Sequence, residues 1–222
     1  TSEKFWAAWR EEDFNDAELF AIKNRKLPSQ QKENLFAHRH PRDRDWYESL
    51  IAGGELAVSG QDKLLISLLM PARLLEMTRF FTLFDKKVGK IVARYQQVFG
   101  IKRLIERISI KGDTQGGANV AGGRTPGATK RKGGVIWHTQ GSGKSLTMVM
   151  LARNLALDPE ILNPRIVLVT DRDDLDKQLG NTFAACGLEA NRATSGRNLL
   201  ELVSEKKSGI ITTLIHKFDK AY

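Results

Sequence analysis

A single cysteine, Cys186, leaves this chain no intrachain disulfide to form. Without one, a reducing compartment such as the cytosol is the expected setting, and a lone thiol of this kind reads as a packing group. Long apolar runs are absent as well. A membrane helix needs ~18 consecutive apolar residues, whereas the densest stretch, Leu64 to Met70, is short and stops at Pro71, so no membrane span is expected. No secretory leader is legible. The chain opens on Thr1 rather than Met and stops at Tyr222 just after a strand-like run, so both ends read as cut and the sequence as a piece of something larger.

What is present is basic and ordinary in its apolar content. Thirty-five Lys and Arg against 26 Asp and Glu give a net charge of +9, and 41% of the residues are hydrophobic. The excess of positive charge favours a polyanionic partner, and the apolar fraction is enough for a buried core in one large or two small domains. From Thr1 to about Arg44 the chain is charged and aromatic, and Phe5, Trp6 and Trp9 could anchor a short amphipathic helix. Asp62 to Phe84 is densely apolar around Pro71, which fits either two helices or a strand followed by a helix. Over Val88 to Ile108 apolar residues recur at helical spacing, and one long amphipathic helix is predicted there. Residues 111–133 change to Gly, Thr, Asn and Ala, the composition of an exposed loop.

Beyond that loop the rhythm becomes strand then helix. Val135 to Trp137 predicts a short buried strand, Ser145 to Leu157 a helix, Ile166 to Thr170 a strand and Leu175 to Phe183 a helix. Asn198 to Glu205 predicts a further helix and Ile210 to Thr213 the next strand. Alternation of this kind specifies an α/β fold, a parallel sheet covered by helices.

Between the first of these strands and the first helix lies "WHTQGSGKS", Trp137 to Ser145. It nearly matches G-x-x-x-x-G-K-[ST], with Gly143, Lys144 and Ser145 in the last three places and His138 where the first Gly belongs. A loop that leaves a strand and opens a helix gathers backbone N–H groups at the positive end of the helix dipole. Gly141 and Gly143 let the backbone approach phosphate oxygens, Lys144 can reach the outer phosphates, and the Ser145 hydroxyl can ligate Mg²⁺. Thr139, Gln140, Ser142 and Leu146 complete the expected nucleotide-binding set, and His138 reads as structural.

"GGVIWHTQGSGKSLTMVMLA" followed by "IVLVTDRDDLDKQL" closely resembles the motor (R) subunit of type I restriction enzymes, whose superfamily 2 helicase motifs I and Ia have this form. The likeness extends to "ARYQQVFGI" upstream and "IITTLIHKF" downstream. It implies a partial P-loop (RecA-like) sheet over residues 88–222, preceded at 1–87 by a mainly helical connecting region. ATP and Mg²⁺ are the implied cofactors. Gln97 looks like the adenine-reading glutamine, with Gln96 beside it or a plain polar helix face as alternatives. Thr170, Asp171 and Arg172 match motif Ia, which implies contact with the DNA backbone, and Thr212, Thr213 and Lys217 suggest a further strand-end contact, with a plain buried strand and an exposed lysine as the alternative. The acidic stretch Asp171 to Asp174 also reads as a helix start. Duplex DNA and the methylase and specificity subunits are the implied partners, and a bacterial or archaeal cytoplasm the implied location. The family's downstream Asp-Glu pair, second motor lobe and nuclease carboxylates are not found in this sequence. Glu205-Lys206-Lys207 spells E-x-K but reads as a solvated helix end. Two rival readings remain: a small phosphotransferase with Asp171 as its Mg²⁺ aspartate, and a non-catalytic DNA-binding module.

Overall fold

The structure, a computed structural model, describes residues 8–109, 133–161, 163–205 and 207–219. The chain divides into two compact units, Thr1–Leu75 and Glu76–Tyr222. The second begins earlier than the boundary expected at Val88.

The first unit is helical and is fastened mainly at its helix ends. Helix α1 (Asp16–Lys23) opens with a reciprocal cap, in which the Asn15 side chain accepts the Glu18 N–H at 2.9 Å and the Glu18 carboxylate accepts the Asn15 N–H at 2.8 Å. Helices α2 (Ser29–Phe36) and α3 (Pro41–Ala52) follow, joined by ion pairs between Lys32 and Glu48 and between Arg44 and Glu33. At the start of α4 (Gly60–Leu69) the Asp62 carboxylate accepts from the Ser59 N–H, the Ser59 hydroxyl and the Lys23 ammonium. These donors, the Lys23 ammonium foremost, pull the Asp62 carboxyl down to about 2. Pro71 then opens α5 (Pro71–Phe80), so the break expected there separates two helices. Arg73 is buried and donates to Glu11 at 2.9 Å and Asp13 at 2.7 Å, while Trp9 lies under its guanidinium. Trp9 is not in a helix; Phe5 and Trp6 fall outside the described residues.

In the second unit an antiparallel hairpin, β1 (Thr82–Asp85) and β2 (Gly89–Val92), precedes helix α6 (Tyr95–Ser109). The single helix predicted over Val88 to Ile108 is thus corrected. Its first residues reverse direction because the Asp85 carboxylate accepts the Lys87 and Val88 N–H groups and Gly89 takes a φ of 86° that other residues resist. Residues 111–132 of the expected glycine-rich loop lie outside the described residues.

Helix α7 (Lys144–Leu157), strand β3 (Arg165–Thr170), helix α8 (Asp173–Ala185), strand β4 (Ala190–Arg192), helix α9 (Gly196–Ser204) and strand β5 (Gly209–Leu214) complete the unit, with a short 3-10 turn at Ile215–Lys217. Among the described residues the strands form a parallel sheet in the order β3-β5-β4. The expected α/β class, a partial parallel sheet following a mainly helical region, holds. Ala193, Leu199 and Ile211 form a core cluster with Val167 and Leu202 against it, and Leu179 and Phe183 are buried on α8. Arg153 of α7 donates to the Thr82 carbonyl at 2.8 Å, and the Lys86 N–H donates to the Ala185 carbonyl at 3.3 Å, which holds the hairpin against α7 and α8.

The buried strand expected at Val135 to Trp137 is not there. Val135 is 94% exposed and Trp137 89%, and the segment joins none of the strands. An apolar triplet becomes a strand only where a neighbour offers ladder partners, and among the described residues none lies beside it.

Candidate functional site

The loop before α7 is built around one carbonyl. The Thr139 carbonyl accepts the Ser142 hydroxyl at 2.7 Å, the Lys144 ammonium at 3.0 Å and the Ser142 N–H at 3.3 Å. The chain can curl this tightly because Gly141 and Gly143 adopt φ values of 76° and 82°, in the left-handed region that costs a Cβ-bearing residue. Gly143 is also the N-cap of α7, and it caps without a side chain. The N–H groups of Lys144, Ser145 and Leu146 therefore meet no acceptor among the described residues, while the Thr147 N–H reaches the Gly143 carbonyl at 3.0 Å. Orphan donors at the positive end of a helix, beside a lysine, form an anion receptor. Gln140 is exposed, Ser145 and Leu146 are half-buried, and the Ser145 hydroxyl lies in the first turn where a cation held by phosphates would need it. Among the described residues no cluster of three or more His, Cys, Asp or Glu could hold a metal without such phosphates.

Gln97 lies behind this loop rather than over it. It is 5% exposed, and its amide is engaged on both sides: Oε1 accepts the Arg94 N–H at 2.9 Å, while Nε2 donates to the Gly143 carbonyl at 3.2 Å and the Thr147 hydroxyl at 3.1 Å. Thr147 went unremarked in the sequence, where it passes as one more residue on a buried helix face. Gln96 is exposed and lines a cavity of about 250 Å³ with Arg94, Trp137, His138, Thr139 and Ser142. His138 packs toward α6, its Nε2 only 3.7 Å from where a Cβ on Gly100 would lie, in keeping with a structural role.

Parallel strands bring the other expected residues to one edge of the sheet, at the C-terminal ends of β3 and β5. Thr170 is half-buried, and its hydroxyl contacts the Arg172 carbonyl at 3.5 Å. Arg172 is exposed and only loosely paired with Asp174 at 3.9 Å, a contact worth little in water. Thr213 must be corrected: its side chain is fully buried, its hydroxyl directed to the Leu214 carbonyl, and it offers no surface for DNA. The reason is position, since β5 is central in the sheet and is covered on both faces. Lys217 is half-buried and its ammonium donates to the Ala193 carbonyl just beyond β4.

The same edge carries a pairing that the sequence did not reveal. Arg192 of β4 bridges Asp173 and the fully buried Asp176, both in the first turn of α8. Lys177 first, and Arg192 with it, hold the Asp173 carboxyl below its ordinary range. Asp173 and Asp176 thus serve the start of α8, as the helix-start reading anticipated, although the N-cap residue is Arg172 and makes no side-chain cap. Glu205 follows the end of α9, where the Arg165 guanidinium takes the Val203 and Glu205 carbonyls, so Glu205 lies at a helix end rather than in a strand. No described helix is long and apolar enough to cross a membrane.

Comparison with known proteins supplies a family for the chain. The model of the SWI2/SNF2 ATPase family matches residues 96–222. A candidate type I restriction enzyme MjaIXP endonuclease subunit of Methanocaldococcus jannaschii is 38% identical over 159 residues, which cover 72% of this chain and 14% of that protein. The type I restriction enzyme HindI endonuclease subunit of Haemophilus influenzae is 37% identical over 169 residues, 70% of this chain and 14% of its own length. The SauCOLORF180P endonuclease subunit of Staphylococcus aureus is 28% identical over 159 residues. The chain thus spans a small part of the relatives it matches.

Proposed function

We propose that this chain, which belongs to the SWI2/SNF2 ATPase family, carries the ATP-binding part of a type I restriction enzyme motor subunit that hydrolyses ATP to translocate duplex DNA. The observation that carries the reading is the anion receptor at the start of α7: two left-handed glycines, three N–H groups that meet no acceptor among the described residues, and Lys144 beside them. Such a loop fits a triphosphate. The N–H groups of Lys144, Ser145 and Leu146 would bind the inner phosphates, and Lys144 would leave the Thr139 carbonyl for the outer ones. Ser145 would hold Mg²⁺, which when bound neutralises the charge that develops during phosphoryl transfer. Gln140 and Ser142 shape the loop mouth.

Thr170, Arg172 and Lys217 are the proposed contacts to the DNA backbone, supported by their common edge and by the net charge of +9. The relatives are named as type I restriction enzyme endonuclease subunits, and the reading extends from there to DNA cleavage by the whole protein, to partnership with methylase and specificity subunits and to a prokaryotic cytoplasm. The test is nucleotide titration of the full-length protein with and without Lys144→Ala. The variant is expected to bind MgATP about ten- to a hundredfold more weakly, the span set by a charge-assisted hydrogen bond. Equal affinities would refute the assignment.

A further inference from the structure

In the first unit, the end of α1 and the chain that leaves α3 enclose a hollow of about 360 Å³. Hydrogen bonds fix its frame. The Asn24 side chain accepts the Leu56 N–H at 2.8 Å and donates to the Leu56 carbonyl at 3.1 Å, while the Lys23 ammonium donates to the Ala57 carbonyl at 2.7 Å. The hollow therefore stands open before anything fills it, at a size within the roughly 300–1,000 Å³ of ligand clefts.

Its floor is largely aliphatic. Tyr47, Leu50 and Ile51 share one face of α3, and Leu56 joins them from the loop. Ile51 is 38% exposed and Leu56 40%, apolar surface that gains by being covered. The wall is charged, with Arg25 and Lys26 both exposed on it. Lys23, Lys32, Arg44 and Lys63 each meet a carboxylate, whereas Arg25 and Lys26 meet none among the described residues. Glu55 lines the same hollow, and the N–H groups of Lys26 and Glu55 have no acceptor among the described residues. These features select one kind of occupant. A floor of Leu and Ile suits a branched side chain better than a flat base, and the two cations call for carboxylates. Glu55 repels a chain with a phosphate at every step but accepts a peptide N–H, and the open N–H groups suit peptide carbonyls.

We propose that this hollow is a docking site for a peptide segment of a partner protein, which seats an aliphatic side chain on Leu50, Ile51 and Leu56 and sets carboxylates against Arg25 and Lys26. The site lies wholly within the first unit and does not rest on the nucleotide reading.

The test uses the full-length protein and a panel of fluorescein-labelled hexapeptides, each carrying one Leu and two Glu at a different spacing. A matching panel with Lys in place of Glu and a labelled oligothymidylate serve as competitors for the assignment. Anisotropy reads binding, and hydrogen exchange over residues 23–27 and 47–56 locates it. At least one Leu-Glu peptide is expected to bind and to slow exchange in both segments, and no Leu-Lys peptide to do so. Lys26→Glu should weaken that peptide about tenfold, as should Ile51→Gln, which alters the floor without adding charge. Arg42→Glu, an equal change of charge at the start of α3, should leave the affinity as it was, and exchange in α1 reports that each variant folds. A panel in which no Leu-Glu peptide binds would overturn the proposal, as would one bound without protecting the two segments. Equal losses in Arg42→Glu and Lys26→Glu would reduce the effect to net charge and overturn it too. Oligothymidylate protecting both segments where the peptides do not would make the hollow a nucleic-acid contact instead.

Discussion

The two units of this chain are held together by different forces. In the first, the described residues that are buried as a whole are Leu19, Ser67 and Arg73, and most of the named contacts are caps and ion pairs. In the second, Phe81, Leu83, Val98, Ile101, Val149, Phe183 and Leu199 are buried from water. Apolar burial gains about 25 cal/mol per Å² and is indifferent to salt, whereas surface pairs gain little and are screened. The difference teaches where each unit is fragile: the second to lost volume, the first to lost polar partners.

Substitutions can sharpen that contrast, and hydrogen exchange read segment by segment can assign each effect to its unit. The largest effect is expected for Phe183→Ala, which empties a fully buried site on α8 and should cost about 3–5 kcal/mol. Protection should fall throughout β3 and β5 and be preserved in α1; equal loss in both would break the comparison. Next is Arg73→Met, which keeps bulk but strands Glu11, itself 8% exposed on its side chain, without that cation. About 3 kcal/mol is expected, because a buried charge left behind costs more than the pair contributes, and the loss should appear in the first unit. Asn15→Ala removes one half of the α1 cap and should cost about 1 kcal/mol, seen as faster exchange in the first turn of that helix.

The smallest effect is a pH dependence. Asp62 in the folded chain lies at about 2, below the ordinary value of about 4 for an unfolded aspartate. Its contribution is present in full above about pH 4 and is lost as the pH falls toward 2. Melting temperatures by circular dichroism should decline more between pH 4 and 2 for the wild type than for Asp62→Asn. Parallel curves would remove Asp62 from the list of fastenings.

Much of the second unit was legible in the residues, and the exceptions have physical causes. Helices α7, α8 and α9 and strands β3 and β5 carry apolar patterns long enough to specify their period. The hairpin was misread because Val88, Ile91 and Val92 fit a helical face as well as a strand, and the deciding feature was the Asp85 and Gly89 turn. Strand β4 is three residues long, Ala-Asn-Arg, and exists because β5 offers it a ladder, which no local pattern announces. The same rule, in reverse, explains Val135 to Trp137. At the candidate site the glycines and Lys144 were legible from spacing. The engagement of Gln97 by Gly143 and Thr147 was not, because it joins residues brought together only by the packing of α6 on α7. Burial of Thr213 was one of two readings that the residues left open, because a threonine within a strand looks the same from sequence whether its face is covered or open.

The docking of the hairpin on α7 has a consequence during synthesis. The Thr82 carbonyl and its Arg153 donor are 71 residues apart, so at roughly 5–20 residues per second a ribosome separates their emergence by roughly 4 to 14 seconds. Throughout that interval the Thr82 carbonyl, which lies between the buried Phe81 and Leu83, has no α7 donor to meet. The nascent chain must carry this hairpin undocked from α7 until the glycine loop and the helix behind it have been made.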